Sequence, residues 1–235
     1  MNPLILEEFE NYWLVYKPRG WFVHPPSDKR ALKKFSQKIL TSWFWKNLNR
    51  KAFPIHRLDF ATEGLMLWAK DSESAGILNE LHYGERLIKT YHAVVRGYPA
   101  DEGIIDIPLK SEANFEPIVA ITKYKTLKRL GIPTQINSEH ATSRYSLMEV
   151  TLQTGRWHQI RRHFNRLSNP IIGDREHGDS HHNRYFRDQL KIDGLLLKAE
   201  KLQFTCPFSL EEKTFQAPVN EHWEKIYALF EPGSF

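Results

Sequence analysis

An α+β fold built on a mostly antiparallel or mixed sheet is what the sequence predicts, on three observations. Segments with strand character outnumber those with helical spacing, the two kinds do not alternate regularly, and no repeat or low-complexity tract divides the chain. The 235 residues can bury a sizeable core, and 41% hydrophobic with 13% aromatic content excludes wholesale disorder. One domain over residues 1–235 is expected.

Taken in order, Tyr12 to Tyr16 and Gly20 to His24 read as short strands around the turn Lys17-Pro18-Arg19-Gly20, where Pro presets one dihedral and Gly permits another. Leu32, Phe35, Ile39 and Trp43 fall at helical spacing, so a helix capped by Ser27 or Asp28 is expected, ended by Trp43-Phe44-Trp45. Leu65-Met66-Leu67-Trp68-Ala69 is a short continuous apolar run preceded by Gly64, which suits a strand buried on both faces. Ser72 to Tyr83 reads as a helix with Ala75, Leu78 and Leu81 inward.

Arg86 to Gly97 alternates roughly in period two and reads as a strand, as do Ile118 to Lys125, Ser143 to Gln153, Leu195 to Phe204 and Thr214 to Ala217. Helices are expected at Arg156 to Leu167, on the stripe Trp157, Ile160, Phe164 and Leu167, and at Glu221 to Leu229. The polar stretches Lys110 to Phe115, Leu130 to Ala141 and Asp174 to Asp193 read as loops.

The single cysteine, Cys206, excludes an internal disulfide framework and any multi-cysteine zinc site. It lies in Phe204-Thr205-Cys206-Pro207-Phe208, a strand running into a turn, and reads as structural. No apolar run approaches the ~18 residues that span a bilayer. Met1 to Glu8 lack the basic start and long apolar segment of a secretory signal, so the cytoplasm is the expected location.

A net charge of +5 matters because it is unevenly placed. Lys29 to Lys51 holds eight basic residues, Lys33 and Lys34 among them, and no acidic one. Arg144 to Arg166 adds Arg144, Arg156, Arg161, Arg162 and Arg166 against Glu149 alone. Two basic patches on one small protein suit a polyanion, and RNA is the expected partner. The aromatics within the first stretch read as core. His177, His181 and His182 stand near Asp174 and Asp179, but no regular element fixes their spacing; the loop is read as an RNA contact and no metal is expected.

Chemistry points first to Asp59, in His56-Arg57-Leu58-Asp59-Phe60-Ala61-Thr62-Glu63-Gly64. A carboxylate just ahead of a buried strand stands on rigid support, as a nucleophile or general base requires. By local pattern alone a cap or turn is the stronger reading of the same residue.

This segment resembles the His-Arg-Leu-Asp-x-x-Thr-Ser-Gly-Leu signature of pseudouridine synthases of the RluA type. Further segments are similar to that family in the same order: Lys17-Pro18-Arg19-Gly20 through His24, Lys89-Thr90-Tyr91-His92-Ala93 through Gly97, Thr154-Gly155-Arg156-Trp157-His158-Gln159-Ile160-Arg161, Asn169 to Asp174, and Leu195 to Ala199. Order and spacing agree over residues ~12 to ~218, so the resemblance spans the chain. Glu63 departs from the usual Ser, Trp157 from a common Thr and Lys198 from a common His.

The resemblance implies the pseudouridine synthase fold, with an active-site cleft across the sheet and no added N-terminal RNA-binding domain. It implies isomerisation of an RNA uridine, with Asp59 as the essential carboxylate, Arg156 keeping it ionised and Tyr91 stacking on the base. Arg57 would prop the gap left by the flipped uridine, and His56 would support the loop or contact RNA. Leu65 or Ile160 would be placed to pack against uracil, although ordinary core packing is the stronger reading for both, with Arg161, Lys33 and Lys34 binding RNA. No cofactor is implied, and a monomer is expected. The 177–184 loop most resembles members that act on tRNA; ribosomal RNA, an RNA-binding role without turnover, and a hydrolase are the alternatives. The intact Asp59, Tyr91 and Arg156 argue against the second of these, and the lack of a Ser nucleophile elbow argues against the third.

Overall fold

The computed structural model describes residues 2–84, 86–111, 113–114, 116–136 and 141–233. The elements run β1 (Leu4–Glu8), β2 (Tyr12–Lys17), α1 (Lys29–Phe35), α2 (Leu40–Leu48), β3 (Phe53–Pro54), β4 (Glu63–Ala69), α3 (Ser72–Tyr83), β5 (Ile88–Arg96) and β6 (Glu102–Asp106). They continue as β7 (Leu109–Lys110), β8 (Pro117–Ile118), β9 (Ile121–Ile132), β10 (Ser143–Leu152), α4 (Gln159–Arg166), α5 (Ser180–Asp188), β11 (Leu197–Thr205), β12 (Glu212–Gln216) and α6 (Glu221–Ala228). The pairs β1/β2, β2/β4, β3/β4, β6/β9, β7/β8, β9/β10 and β11/β12 are antiparallel, and the class is α+β as expected. The chain divides into two compact units, Met1–Lys89 with Ala199–Ala217, and Thr90–Lys198 with Pro218–Phe235.

In the first unit the strand order is β1-β2-β4-β11, with β12 pairing β11. The register Tyr12↔Ala69, Leu14↔Leu67 and Tyr16↔Leu65 puts these residues on one face, where they join Ala75, Leu78 and Leu81 of α3 in a common core. The alternate residues serve the opposite face: Phe44 of α2 packs its ring 4.7 Å from Trp68 and 5.3 Å from Trp13. Strand β4 is therefore buried on both faces, which is why its sequence is a continuous apolar run rather than an alternating one.

The long helix expected after Asp28 is two helices. Ile39 enters a parallel bridge with Phe22, the Phe22 N–H donates to Lys38 O and Leu40 N–H donates to Phe22 O, so the helical ladder is broken between α1 and α2. Trp43-Phe44-Trp45 thus lies inside α2 rather than ending a helix, and the strand expected at Gly20 to His24 reduces to that one bridge. Strand β1, unexpected from sequence, is mostly exposed and carries a register shift between Ile5 and Glu7.

In the second unit the order is β5-β10-β9-β6. Met148 pairs Thr126 but Leu147 pairs Lys128, so Leu127 is an extra residue that inverts the alternation of β9. Thr122 and Tyr124 face one side, where they meet His163 and Phe164 of α4. Leu130 and Ile132 face the other, in a core with Tyr145, Leu147, Phe186, Trp223 and Ile226. The bulge explains why period-two reading stops β9 near Lys125 and leaves Leu130 to Ile132 in a supposed loop; residues 137–140 of that stretch lie outside the described residues.

The expected loop 174–193 contains α5. Its N-cap Asp179 accepts from the N–H groups of His181 and His182, and only Phe186 gives the short helix a large buried apolar anchor, so periodicity is weak. The edge strand β6, with Ile104 exposed, has no apolar pattern to betray it. Among the described residues no helix is long and apolar enough to cross a membrane.

Candidate active site

Asp59 lies in a turn leading into β4, closed by Thr62 N–H donating to the Asp59 carbonyl at 3.1 Å. A strand follows it, not a helix, so helix capping is not its task. The turn is fastened from below by Lys17, the last residue of β2. Its Nζ donates to Thr62 O at 2.6 Å, Pro18 O at 3.1 Å and Phe60 O at 3.4 Å. Lys17 is wholly buried, and burial pushes its ammonium down to about 7 against the pull of the Asp59 and Glu63 carboxylates. Glu63, buried, accepts from Tyr16 Oη at 2.6 Å, so the departure from the family's usual Ser is absorbed by a hydrogen bond within the first unit.

Two further contacts fix the turn. Phe60 packs its ring 4.4 Å from Phe22 and 4.9 Å from Phe35, which holds α1 against it. Gly64 has φ +123°, and a Cβ there would lie 2.2 Å from Ala199 O and 2.6 Å from Ala199 N. Only glycine, which has no Cβ, accommodates that dihedral beside so close a neighbouring backbone.

His56 supports the turn from the other side. Buried, it accepts the Leu67 N–H on Nε2 at 3.2 Å, and burial first, then the Lys89 charge, holds it well below the usual imidazole range. A neutral acceptor fixed to β4 is a support, not an acid. Arg57 is exposed and Asp59 half-buried. Leu65 is wholly buried in the α3-facing core, in keeping with ordinary packing, its stronger reading from sequence. Lys33 and Lys34 are exposed on α1, where Lys34 Nζ also lies 5.2 Å from the centre of the Phe35 ring.

In the second unit Tyr91 is buried on β5. His92 bonds Tyr227 at 2.8 Å and Val94 joins the core of α5 and α6, so period two turns Tyr91 to the opposite face, the one that carries α4. Arg156 precedes α4 rather than opening it: the helix starts at Gln159, after His158 in the left-handed region at φ 50°. Gln159 builds this turn. Its Oε1 accepts from Thr154 Oγ1 at 2.8 Å and Arg156 N at 3.0 Å, and its Nε2 donates to Ile121 O and Thr122 Oγ1. Arg156 is exposed and its Nε donates to Val119 O at 2.9 Å.

Arg161 has a different task from the RNA contact expected of it. Its side chain, 5% exposed, forks onto Asp174 with Nε 2.7 Å from Oδ2 and Nη2 2.9 Å from Oδ1. Burial pushes Asp174 up, but the guanidinium and the N–H groups of His177 and Glu176 more than offset it and hold the carboxyl below its ordinary value. Ile160 is likewise buried. The supposed histidine cluster disperses: His182 bonds Tyr145 Oη at 2.8 Å and His181 is exposed on α5, while His177 meets His158.

The chain matches the model of the family described as RNA pseudouridylate synthase over residues 11–166. The chain belongs to the RNA pseudouridylate synthase family. Among curated relatives of this synthase, the tRNA pseudouridine synthase C of Vibrio vulnificus (strain CMCP6) is 36% identical over 237 residues, covering 97% of this chain and 95% of the relative. That of Haemophilus ducreyi (strain 35000HP / ATCC 700724) is 36% identical over 225 residues, covering 92% and 90%. The solved structure "Human RNA Pseudouridylate Synthase Domain Containing 4" matches with a TM-score of 0.70 at 21% identity, covering 96% of this chain and 92% of that one, which shows the shared fold.

Sequence reading of the synthase missed the work of Lys17 and Gln159, although both lie in segments that carry the resemblance. The signal available for Lys17 was a lysine in a fully apolar strand, Tyr12-Trp13-Leu14-Val15-Tyr16-Lys17, where a charge is costly unless it is tied to backbone oxygens.

Proposed function

We propose that this protein isomerises a uridine of tRNA to pseudouridine, with Asp59 as its catalytic carboxylate. The observation that carries the reading is full-length similarity, at 36% identity, to proteins described as tRNA pseudouridine synthase C. The reaction breaks the N1–C1′ bond, turns the uracil and joins C5 to C1′; C5 loses a proton and N1 gains one. It is redox-neutral and calls for no cofactor. Asp59 acts covalently, at C1′ or at C6 of the base, or takes a proton from the sugar. The rigid turn under Asp59, fastened by Lys17 and backed by β4, supports any of these routes.

Arg156 and Tyr91 enter the proposal through the resemblance, Arg156 as the guanidinium that keeps Asp59 ionised and Tyr91 as the ring that holds the base. The exposed Arg57, two residues from Asp59, suits stacking into the gap left by the flipped nucleotide. The exposed Lys33 and Lys34 suit phosphate contacts. Release of tritium from C5-labelled uracil in tRNA tests the reading, with ribosomal RNA as the second substrate. Release from tRNA supports it; release from ribosomal RNA alone overturns the substrate assignment.

A further inference from the structure

Among the described residues one group offers imidazole and carboxylate ligands together. His158, Glu176 and His177 bring one ligand atom each within 4.8 Å of one another. His158 Nδ1 lies 3.1 Å from His177 Nε2 and 3.6 Å from Glu176 Oε2. Two ligands bound tetrahedrally at zinc distances are separated by ~3.4 Å, so both spacings are close to tetrahedral edges.

The ligands are held in place by groups around them. His158 is fixed in a left-handed conformation just before α4, with Trp157 stacked on its ring at 4.0 Å and set edge-on to His177 at 6.0 Å. The Asp174 carboxylate accepts the N–H groups of Glu176 and His177, each at 3.0 Å, and Asn165 Nδ2 donates to His177 O at 2.6 Å. Arg161 lies 3.3 Å from the far oxygen of Glu176, but its fork is matched to Asp174, and Oε2 is the oxygen turned to His158. His158 is shielded while Glu176 is largely exposed, which gives a walled site with one side open to solvent.

We propose that His158, Glu176 and His177 form a binding site for one divalent cation of the zinc class, with the fourth position left to water. Two imidazoles and a carboxylate are a donor set that zinc accepts, and three protein ligands leave the coordination shell open. An ion there ties the 174–178 segment to the turn that carries Arg156. The ordinary alternative is a single N–H···N hydrogen bond between the two rings, which needs no ion.

The test is a titration of tag-free, chelator-treated protein with Co2+, followed by visible absorption, and with Zn2+, against a chromophoric competitor. One equivalent binds, and Co2+ gives the intense bands of a tetrahedral site. Removing a direct ligand exceeds the ~10–100-fold cost of losing an outer-shell partner, so His177→Gln weakens binding at least ~100-fold. Glu176→Gln, at a largely exposed side chain, also weakens binding, whereas His181→Gln does not. Circular dichroism of each variant verifies folding. Absence of stoichiometric binding, or binding undiminished in both His177→Gln and Glu176→Gln, overturns the site.

Discussion

Replacing Arg161 with Met separates a structural ion pair from an RNA contact. The pair is buried on both sides, at 5% and 0% side-chain exposure. Both charge-assisted hydrogen bonds to Asp174 disappear along with the 3.3 Å contact to Glu176, and Asp174 keeps the N–H groups of Glu176 and His177. Breaking one side of such a pair costs about 3–5 kcal/mol. Arg161→Met is therefore expected to lose about that much stability at pH 7, read from urea midpoints.

The pH dependence carries a sign. In the wild type Asp174 sits below its ordinary value, so its stabilising contribution is present above the unfolded-state pKa and is lost as pH falls through the lower folded one. Without the guanidinium, burial dominates and raises the folded pKa, so the variant's deficit is largest near neutrality and shrinks on acidification. The folded variant should bind RNA with an unchanged salt slope. A deficit below about 1 kcal/mol, or a salt slope reduced by about one, would refute the reasoning and restore Arg161 as a phosphate ligand.

Four other outcomes follow from the same geometry. Gly64→Ala forces a Cβ onto Ala199 backbone at a left-handed φ and should lose at least ~2 kcal/mol in urea unfolding; an unchanged midpoint would contradict the close approach of β4 and β11. Lys17 is pushed down to about 7, so between that value and its ordinary range the unfolded chain binds the extra proton and stability rises with pH; Lys17→Met should lack this rise in urea midpoints taken from pH 7 to 9. The Lys33→Ala/Lys34→Ala double variant should keep its melting temperature and lower the slope of log affinity against log salt by about two, whereas an unchanged slope would remove α1 from the RNA interface. Arg57→Ala should slow single-turnover reaction with folding intact, and an unaltered rate would deny it the propping role.

Much of the architecture was legible where periodicity and burial agree. The run in β4 reads as doubly buried because Trp68 and Leu67 each meet a helix, and α3 is framed by Asp71 and its inward Ala75, Leu78 and Leu81. The elements that escaped lack that agreement. Strands β1 and β6 have little to bury, α5 is anchored mainly by Phe186, the bulge at Leu127 inverts a pattern, and Phe22 breaks a helix from a distance by capturing the backbone at Lys38 and Leu40.

At the site, Asp59 and Arg57 were legible as motif residues, but the tasks of Arg161 and Lys17 were not. A buried fork onto Asp174, 13 residues on, and a buried ammonium tied to Phe60 O and Thr62 O, 43 and 45 residues on, depend on partners that no local pattern encodes. His158 and His177, 19 residues apart, meet for the same reason.

The central claim rests on one carboxylate, and Asp59→Asn tests it most directly. The substitution keeps the size of the side chain and leaves the Thr62 and Lys17 contacts to backbone oxygens in place, so the folded protein should bind tRNA within about twofold of wild type. Tritium release from C5-labelled tRNA uridine should fall to background. Release at the wild-type rate would contradict the account.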